Sequence, residues 1–562
     1  GWNVRFSHIM QSGEYGYPSW YKNFSNELMP TLKDYGGGSG CGGMFYHDTR
    51  WPKPYNHAVY TCDWGRSAVF LHNPPANGPT FDAHQDTFLS LSRPTDIDVD
   101  GNGRMLVASW HGGKFAYSGP NIGYVAQLVP EDLKAKPFPN VNRAKDEELY
   151  ALLTGPSQVQ NLHAQREILR RGSSAQRTAK LIELASDEAV PLAGRVAAIF
   201  TLKQIDGAKS QDALLKLSKD ESITEFAYRA LTDRKGELKD LGAQSFVAAL
   251  RNKNPRIRSQ ALISLGRLGD KSAASDILPH AYTPHRSEQP THTQPNPSAV
   301  IPHLATRALV ALNAVDTCLL ALDGKDSDTA LSVLKYLHDE KVVNELASRA
   351  TKNPDPTILA TLVRLYHREG DYKSGWWGTR PDTTGPYFAR EKWSGSDKIE
   401  AGLKTALAKA SRSTVDTVKA QLASHKISLK GLPTGTAVAA NETSNTAIKI
   451  PAPTGDPKKM IATLGEKVAT EHALKARGNA NRGKALFTSQ ACIACHTTAD
   501  GQTPKGPHLV DIGKRYKPHE ILQSILNPSA VITQGFDTYS FVMKDDKVHV
   551  GFVTLESADT IS

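Results

Sequence analysis

The chain has 562 residues, of which 39% are hydrophobic and 22% charged, with 43 Gly and 33 Pro. That length implies two to four domains, and the composition excludes a disordered or collagen-like polymer. Lys and Arg total 67 against 57 Asp and Glu, a formal +10. The excess is regional: residues 401–475 hold 11 basic and 5 acidic residues, whereas residues 476–562 hold 9 and 8. A basic stretch with hardly an aromatic ring is a poor platform for stacking bases, which argues against a nucleic-acid partner. The best apolar candidate for a membrane span, residues 304–322, carries Arg307, Asn313 and Asp316, so no transmembrane segment is expected in this chain. The opening GWNVRFSH has neither the basic start nor the apolar middle of a signal peptide, so any export signal is expected to lie outside the chain.

Residues 1–130 are rich in Gly, Tyr, Trp and Asn, with short alternating runs between turn signals, which is an all-β pattern. In RPTDIDVDGNGRMLVASW, Ile97 and Val99 alternate with aspartates, Asn102-Gly103 supplies the turn, and Met105 to Trp110 returns as the second strand. Asp98 to Gly103 also has the alternating oxygens of a calcium loop, but the closing Glu of an EF-hand is missing, and the turn is the better reading. Strand-end residues His57, Asp63, Trp64 and His111 could line a propeller's central channel, but strand-end aromatics and histidines are usually structural and are read so here. Repeated short hairpins of this kind suggest blades of a β-propeller. Cys41 and Cys62 lie in this region, and sequence alone leaves their pairing open.

Residues 131–146 read as a linker, and from about residue 147 the composition turns to Ala, Leu, Lys and Arg at helical spacing. Arg166, Arg195, Arg229 and Arg258 recur at intervals of 29, 34 and 29 residues, and Arg307 follows after 49 across the polar THTQPNPS insertion. Such periods belong to helical solenoids, in which each helix pair buries its apolar face against its neighbours. NPRIRSQALISLGRLGD has the look of a HEAT repeat: Pro255 opens the helix, and Ile257, Ala261 and Leu265 share one face. Residues 147–431 therefore read as a HEAT-like α-solenoid, with Cys318 in VDTCLLAL as a small buried hydrophobe. A Gly- and Pro-rich insertion at 368–399, with Trp376, Trp377, Tyr387, Phe388 and Trp393, breaks the helical spacing and reads as an ordered packing loop. Residues 432–475 form a linker and a lead-in helix.

Residues 492–496 read CIACH, the c-type haem attachment pattern. Two thiols separated by two residues each form a thioether to one vinyl group of a haem edge, and the adjacent His496 reaches the iron as proximal ligand. A thioredoxin-like use of the pair requires a βαβ setting that is not apparent here. A structural zinc requires a second ligand pair, and His508, His519 and His549 offer no paired spacing. Upstream, NRGKALFTSQ reads as a short helix; downstream, Gly506-Pro507 resembles the cytochrome pattern in which the Pro carbonyl accepts a hydrogen bond from the proximal imidazole, and HEILQSILNP is amphipathic. Met543, 47 residues beyond His496, is a weak candidate for the sixth ligand, because FVMKDDKVHVGFVTL reads as a β-hairpin with Phe541 and Met543 on one face.

With WWGTRPDTTGPYF, CIACH, GPHL and SILNPSAVITQGFDTYSF in this order, the chain resembles the large bacterial multidomain haem-binding proteins of the membrane-bound dehydrogenase type with a CxxCH domain. The resemblance implies a multidomain fold: C-terminal blades of a glucose/sorbosone dehydrogenase-like propeller at 1–130, HEAT-like repeats, and a small, mostly α cytochrome c domain at 476–562. It implies a fragment truncated at both ends, so the family's usual C-terminal distal ligand and its catalytic positions fall outside this chain. It further implies covalent haem c held by Cys492, Cys495 and His496, and pyrroloquinoline quinone in the full-length protein. A redox partner or electron acceptor, a sugar or polysaccharide substrate, and a periplasmic or cell-surface location follow from the same likeness. The expected function is electron transfer from a sugar- or alcohol-oxidising module. Two alternatives stand beside it: a haem-bearing scaffold that binds a polysaccharide or partner without catalysis, and a peroxidase or gas sensor with an open sixth position.

Overall fold

The computed structural model describes residues 3–15, 27–111, 121–134, 137–281, 296–372, 388–425, 427–432, 466–476, 478–490, 492–494, 496–498, 509, 512–527, 538–542 and 548–552. The chain divides into two compact units, Gly1–Ala437 and Val438–Ser562. It is a multidomain molecule with a sheet-rich N-terminal region, a helical middle and a separate C-terminal unit.

In the sheet-rich region, β1 (Asn3–Phe6) pairs with β2 (Lys33–Gly37). The strands β3 (Gly40–His47), β4 (His57–Asp63) and β5 (Ala68–His72) follow, then the short pair β6 (Ala76–Asn77) and β7 (Thr80–Phe81), then β8 (Asp86–Ser90). These make an antiparallel sheet in the order β3-β4-β5-β8. A second sheet joins β9 (Asp96–Val99), β10 (Met105–Trp110) and β11 (Gly123–Leu128), also antiparallel. Side chains alternate across a strand, and β10 accordingly buries Met105, Val107 and Ser109 while the intervening residues stay partly exposed. Met105 and Val107 form one core with Tyr46, Trp51, Tyr60, Cys62, Val69, Leu71 and Ile97.

The β9–β10 turn has the expected hairpin chemistry. Asp100 Oδ1 accepts from the Asn102 and Arg104 amides at 2.9 and 3.0 Å, and its Oδ2 accepts from Arg104 Nε at 2.6 Å. Gly103 has φ +82°, and its carbonyl receives Trp51 Nε1 at 2.6 Å. The carboxylate is thus committed to the turn itself. Sequence left the pairing of Cys41 and Cys62 open; here both are free thiols. Cys41 Sγ lies 3.2 Å from the Pro94 carbonyl oxygen, and burial pushes the Cys62 thiol up to about 12.

Helices run through the remainder of the first unit, and their apolar faces merge into one core from Leu149 to Ile427. The helix Pro255–Leu268 shows how the sequence writes them. Asn254 Oδ1 caps the Arg256 amide at 3.0 Å, Pro255 occupies the first turn, and Gly269 ends the helix in a left-handed conformation. Ile257, Ala261 and Leu265 are buried along one stripe, as their spacing predicts. Gly266 lets this helix approach Pro297–Ala311: a Cβ there would stand 2.9 Å from Ala308 Cα. Gly266→Ala is therefore expected to lose about 1–2 kcal/mol, overpacking outweighing a gain of ~1 kcal/mol in helix propensity. Urea unfolding reads it, and a variant as stable as the parent would mean that the two helices separate freely.

The five periodic arginines do not share one role. Arg195 is buried, donating to the Ala185 carbonyl at 2.8 Å and to Ser222 Oγ at 2.9 Å, and pairing with Asp220. Arg258 bonds the Asn252 and Lys253 carbonyls, whereas Arg166 and Arg229 are exposed. Helix spacing repeats the residue, but tertiary packing decides what each copy meets. Residues 304–322 are likewise no continuous helix: one helix ends at Ala311, Asn313 turns with φ +49°, and a short helix Val315–Leu320 follows. No helix among the described residues is long and apolar enough to cross a membrane.

The 368–399 insertion contains an antiparallel strand pair, His367–Tyr372 with Phe388–Lys392. Trp376, Trp377 and Tyr387 lie outside the described residues. Trp393 packs edge-on to His338 and donates from Nε1 to the Leu365 carbonyl at 2.8 Å, fixing the start of the helix Ser396–Leu407. The N-terminal segment is bound to the helices in turn. Met29 joins their core, Glu14 pairs with Arg307 at 2.5 Å, and the Glu14 amide donates to His303 Nε2 at 3.0 Å.

Candidate functional site

In the second unit, Asn479 Oδ1 accepts from the Arg482 amide at 3.0 Å and starts the helix Ala480–Ser489. This is the short helix expected from NRGKALFTSQ. It leads into a turn of 3-10 helix over Cys492–Ala494, and the His496 amide donates to the Cys492 carbonyl at 2.9 Å. The two ends of CIACH therefore lie on one turn of backbone. Both Cys492 and His496 are half-buried. Thr497 is buried, and its carbonyl accepts from the Leu509 amide at 2.8 Å, so the chain returns to the motif directly after the GPH segment. Cys495, Pro507, His508 and Met543 lie outside the described residues.

Further helices and a strand pair are described in this unit. Glu466–Lys475 packs on Pro518–Leu526, the amphipathic helix expected from HEILQSILNP. Glu520 Oε2 accepts from the Lys517 amide at 2.6 Å and closes its first turn. His519 is an exposed residue of that turn. The hairpin expected around residues 538–552 forms, Thr538–Val542 against Val548–Phe552, with Phe541 opposite His549. Its connecting residues, Met543 among them, lie outside the described residues.

The side chains here suit an apolar prosthetic group. Among the residues of this unit whose burial is described, Ala469, Ala485 and Thr497 are buried. Leu474, Leu486, Ile493 and Ile525 remain 48%, 44%, 49% and 68% exposed. Ile493 lies inside the attachment motif and Leu486 on the helix entering it. Apolar surface of this kind normally marks a binding face, and a thiol with an imidazole on one turn is the donor set that covalent haem requires.

Residues 480–556 match the family model described as cytochrome c. The C-terminal unit thus contains a haem-binding cytochrome c domain, whose cofactor is haem c and whose role is haem-based electron transfer through a redox partner. No curated protein matches the chain. Among solved structures, the X-ray structure of YibA from Escherichia coli aligns at 16% identity over 40% of this chain and 83% of its own length, with a TM-score of 0.25.

The N-terminal unit holds a cleft of about 690 Å³ lined by Phe6, His8, Phe45, Lys53, His57 and His72, among others. Sequence reasoning took His57 as structural and did not single out His47 or the cleft, because only strand register brings these rings together. Asp63, Trp64 and His111 serve local structure. Asp63 accepts from the Ser39 and Arg66 amides, Trp64 meets Trp110 edge-on under Arg93, and His111 stacks on Tyr124.

Proposed function

We propose that the chain is a c-type cytochrome in which Cys492 and Cys495 hold haem c through thioethers and His496 is the proximal iron ligand. The reading rests on CIACH standing inside the cytochrome c match with Cys492 and His496 closed on one turn. When bound, haem supplies a one-electron iron couple whose potential is set by axial ligation and burial. The chain's own part would be to fix the imidazole-bearing turn, with the exposed apolar Leu486 and Ile493 available to contact the group. Met543 is kept as the sixth-ligand candidate. Thioether attachment of haem belongs to the outer side of the cytoplasmic membrane, which supports a periplasmic or cell-surface location.

The electrons would come from a sugar- or alcohol-oxidising module. In support, β3-β4-β5-β8 has the strand number and antiparallel order of one propeller blade, and the helices of the middle region pack on their sequence neighbours as HEAT-like repeats do. Pyrroloquinoline quinone would be that module's cofactor in the full-length protein.

A pyridine haemochrome spectrum with an intact mass is expected to show one covalent haem per chain. A colourless, correctly matured protein, or thiols at the motif that alkylate freely, would overturn the cytochrome reading. Reduction of that haem by sugars or alcohols in the full-length protein with added quinone tests the module. Failure with every alcohol and aldehyde would leave the haem-bearing scaffold as the reading.

A further inference from the structure

We propose that His47 and His57 form a two-imidazole binding site for a divalent transition metal ion, of the cupric type, at the mouth of the N-terminal cleft. The site lies in the first unit and is independent of the haem reading.

Strand register builds it. β3 and β4 are antiparallel with His47 opposite His57. The Asp48 amide donates to the Asn56 carbonyl at 3.0 Å, so Asp48 and Asn56 are a hydrogen-bonded pair and His47 and His57, one step along, are a non-hydrogen-bonded pair. In such pairs the two side chains come closest. β3 is the edge of its sheet, so the His47 amide points away from β4; Gln158 Oε1 accepts it at 2.8 Å and pins the strand end to the helix Gln158–Arg171. The His57 ring is held edge-on between Phe45 and His47, each at 5.1 Å between centroids.

The result is an Nδ1-to-Nδ1 distance of 2.9 Å, with the rings at 85°. Two nitrogens each about 2.0–2.1 Å from one ion and subtending a right angle stand ~2.9 Å apart, whereas tetrahedral ligation would separate them by ~3.3–3.4 Å. At the 2.9 Å of their hydrogen bond the two nitrogens are already close enough to ligate one ion with little movement, and among the divalent first-row metals Cu²⁺ binds imidazole most tightly. Metal-free, one ring donates its Nδ1 proton to the other. To take the ion, the donor ring moves that proton to Nε2, so two neutral imidazoles bind with no net release of protons.

Among the described residues, no group of three or more His, Cys, Asp or Glu is placed to hold a metal. The site therefore offers two protein ligands, and the other positions belong to water or to a donor atom of a molecule in the cleft, which His57 lines. Open positions of this kind distinguish an exchangeable site from a closed structural one. Lys53 is the charged residue on the same cleft wall.

The test uses the haem-loaded chain with cupric ion alone, read by equilibrium dialysis and by the cupric EPR spectrum after subtraction of the metal-free protein. The expected result is a site with hyperfine coupling to two imidazole nitrogens. His47→Gln and His57→Gln are each expected to weaken it by at least about ten-fold with the thermal transition of the first unit unchanged. The same two-nitrogen signal persisting in both variants, coupling to a single nitrogen in the parent, or no binding near stoichiometric copper would each overturn the assignment.

Discussion

Glu27→Gln is expected to destabilise the first unit by about 3–5 kcal/mol at neutral pH, the cost of leaving a buried ion without its partner. Glu27 faces Arg364 through two contacts, 3.0 Å to Nε and 3.2 Å to Nη2, with Lys335 Nζ at 3.7 Å. The Tyr336 ring lies beneath Arg307, Lys335 and Arg364, with centroid distances of 5.5, 4.9 and 5.5 Å. Burial pushes the Glu27 carboxyl up, but the Arg364 and Lys335 charges and the Arg364 hydrogen bonds overcome it and hold the carboxyl below its ordinary value. That depressed pKa contributes stability above the unfolded value of about 4.3, and the contribution is lost as pH falls through the folded value. The parent–variant difference should therefore narrow in acid. His303 acts in the same direction: burial, with Arg307 and Lys335 nearby, lowers its pKa to about 3. Unfolding then takes up a proton there below about pH 6.5, and stability falls toward pH 3. Urea titrations at several pH values check both. The double variant Glu27→Met with Arg364→Met should recover most of the loss, since an apolar pair removes both buried charges; equal destabilisation in the single and double variants would show that the ion pair is not what binds the segment.

That contact joins residues 337 positions apart, and no periodicity announces it. Local chemistry was legible where neighbours in sequence dictate geometry. Asp100 and Gly103 wrote the β9–β10 turn, and Asn254, Pro255 and Gly269 wrote both ends of a helix. The periodic arginines marked the helical spacing but not the environment of each copy, since the same residue is buried at Arg195 and exposed at Arg166. His47 and His57 meet only through strand register and an edge-strand contact to Gln158, neither of which a one-dimensional pattern contains. CIACH was legible for the opposite reason: covalent attachment needs its thiols and imidazole contiguous in the chain, so spacing alone carries the chemistry. A sixth ligand obeys no such constraint, and Met543 lies outside the described residues.

Replacing both Cys492 and Cys495 by Ala is expected to abolish covalent haem, so that acid extraction removes all colour and the intact mass equals that of the bare polypeptide. His496→Ala should behave differently. It keeps both thioethers, so the mass still includes haem, but the iron loses its proximal nitrogen and the low-spin spectrum and potential shift. The turn itself should survive in both variants, because the bond closing it runs from the His496 amide to the Cys492 carbonyl and uses no side chain. Stability adds a second readout. In the C-terminal unit Leu474, Leu486, Ile493 and Ile525 are substantially exposed. Covering such side chains contributes roughly 25 cal/mol per Å² of apolar area, so the haem ring becomes a large part of what holds the unit together. The double Cys variant should lose its cooperative C-terminal transition while Gly1–Ala437 melts as before. A Cys-free chain that retains extraction-resistant haem, or a His496→Ala protein with the parent's spectrum, would place the cofactor elsewhere.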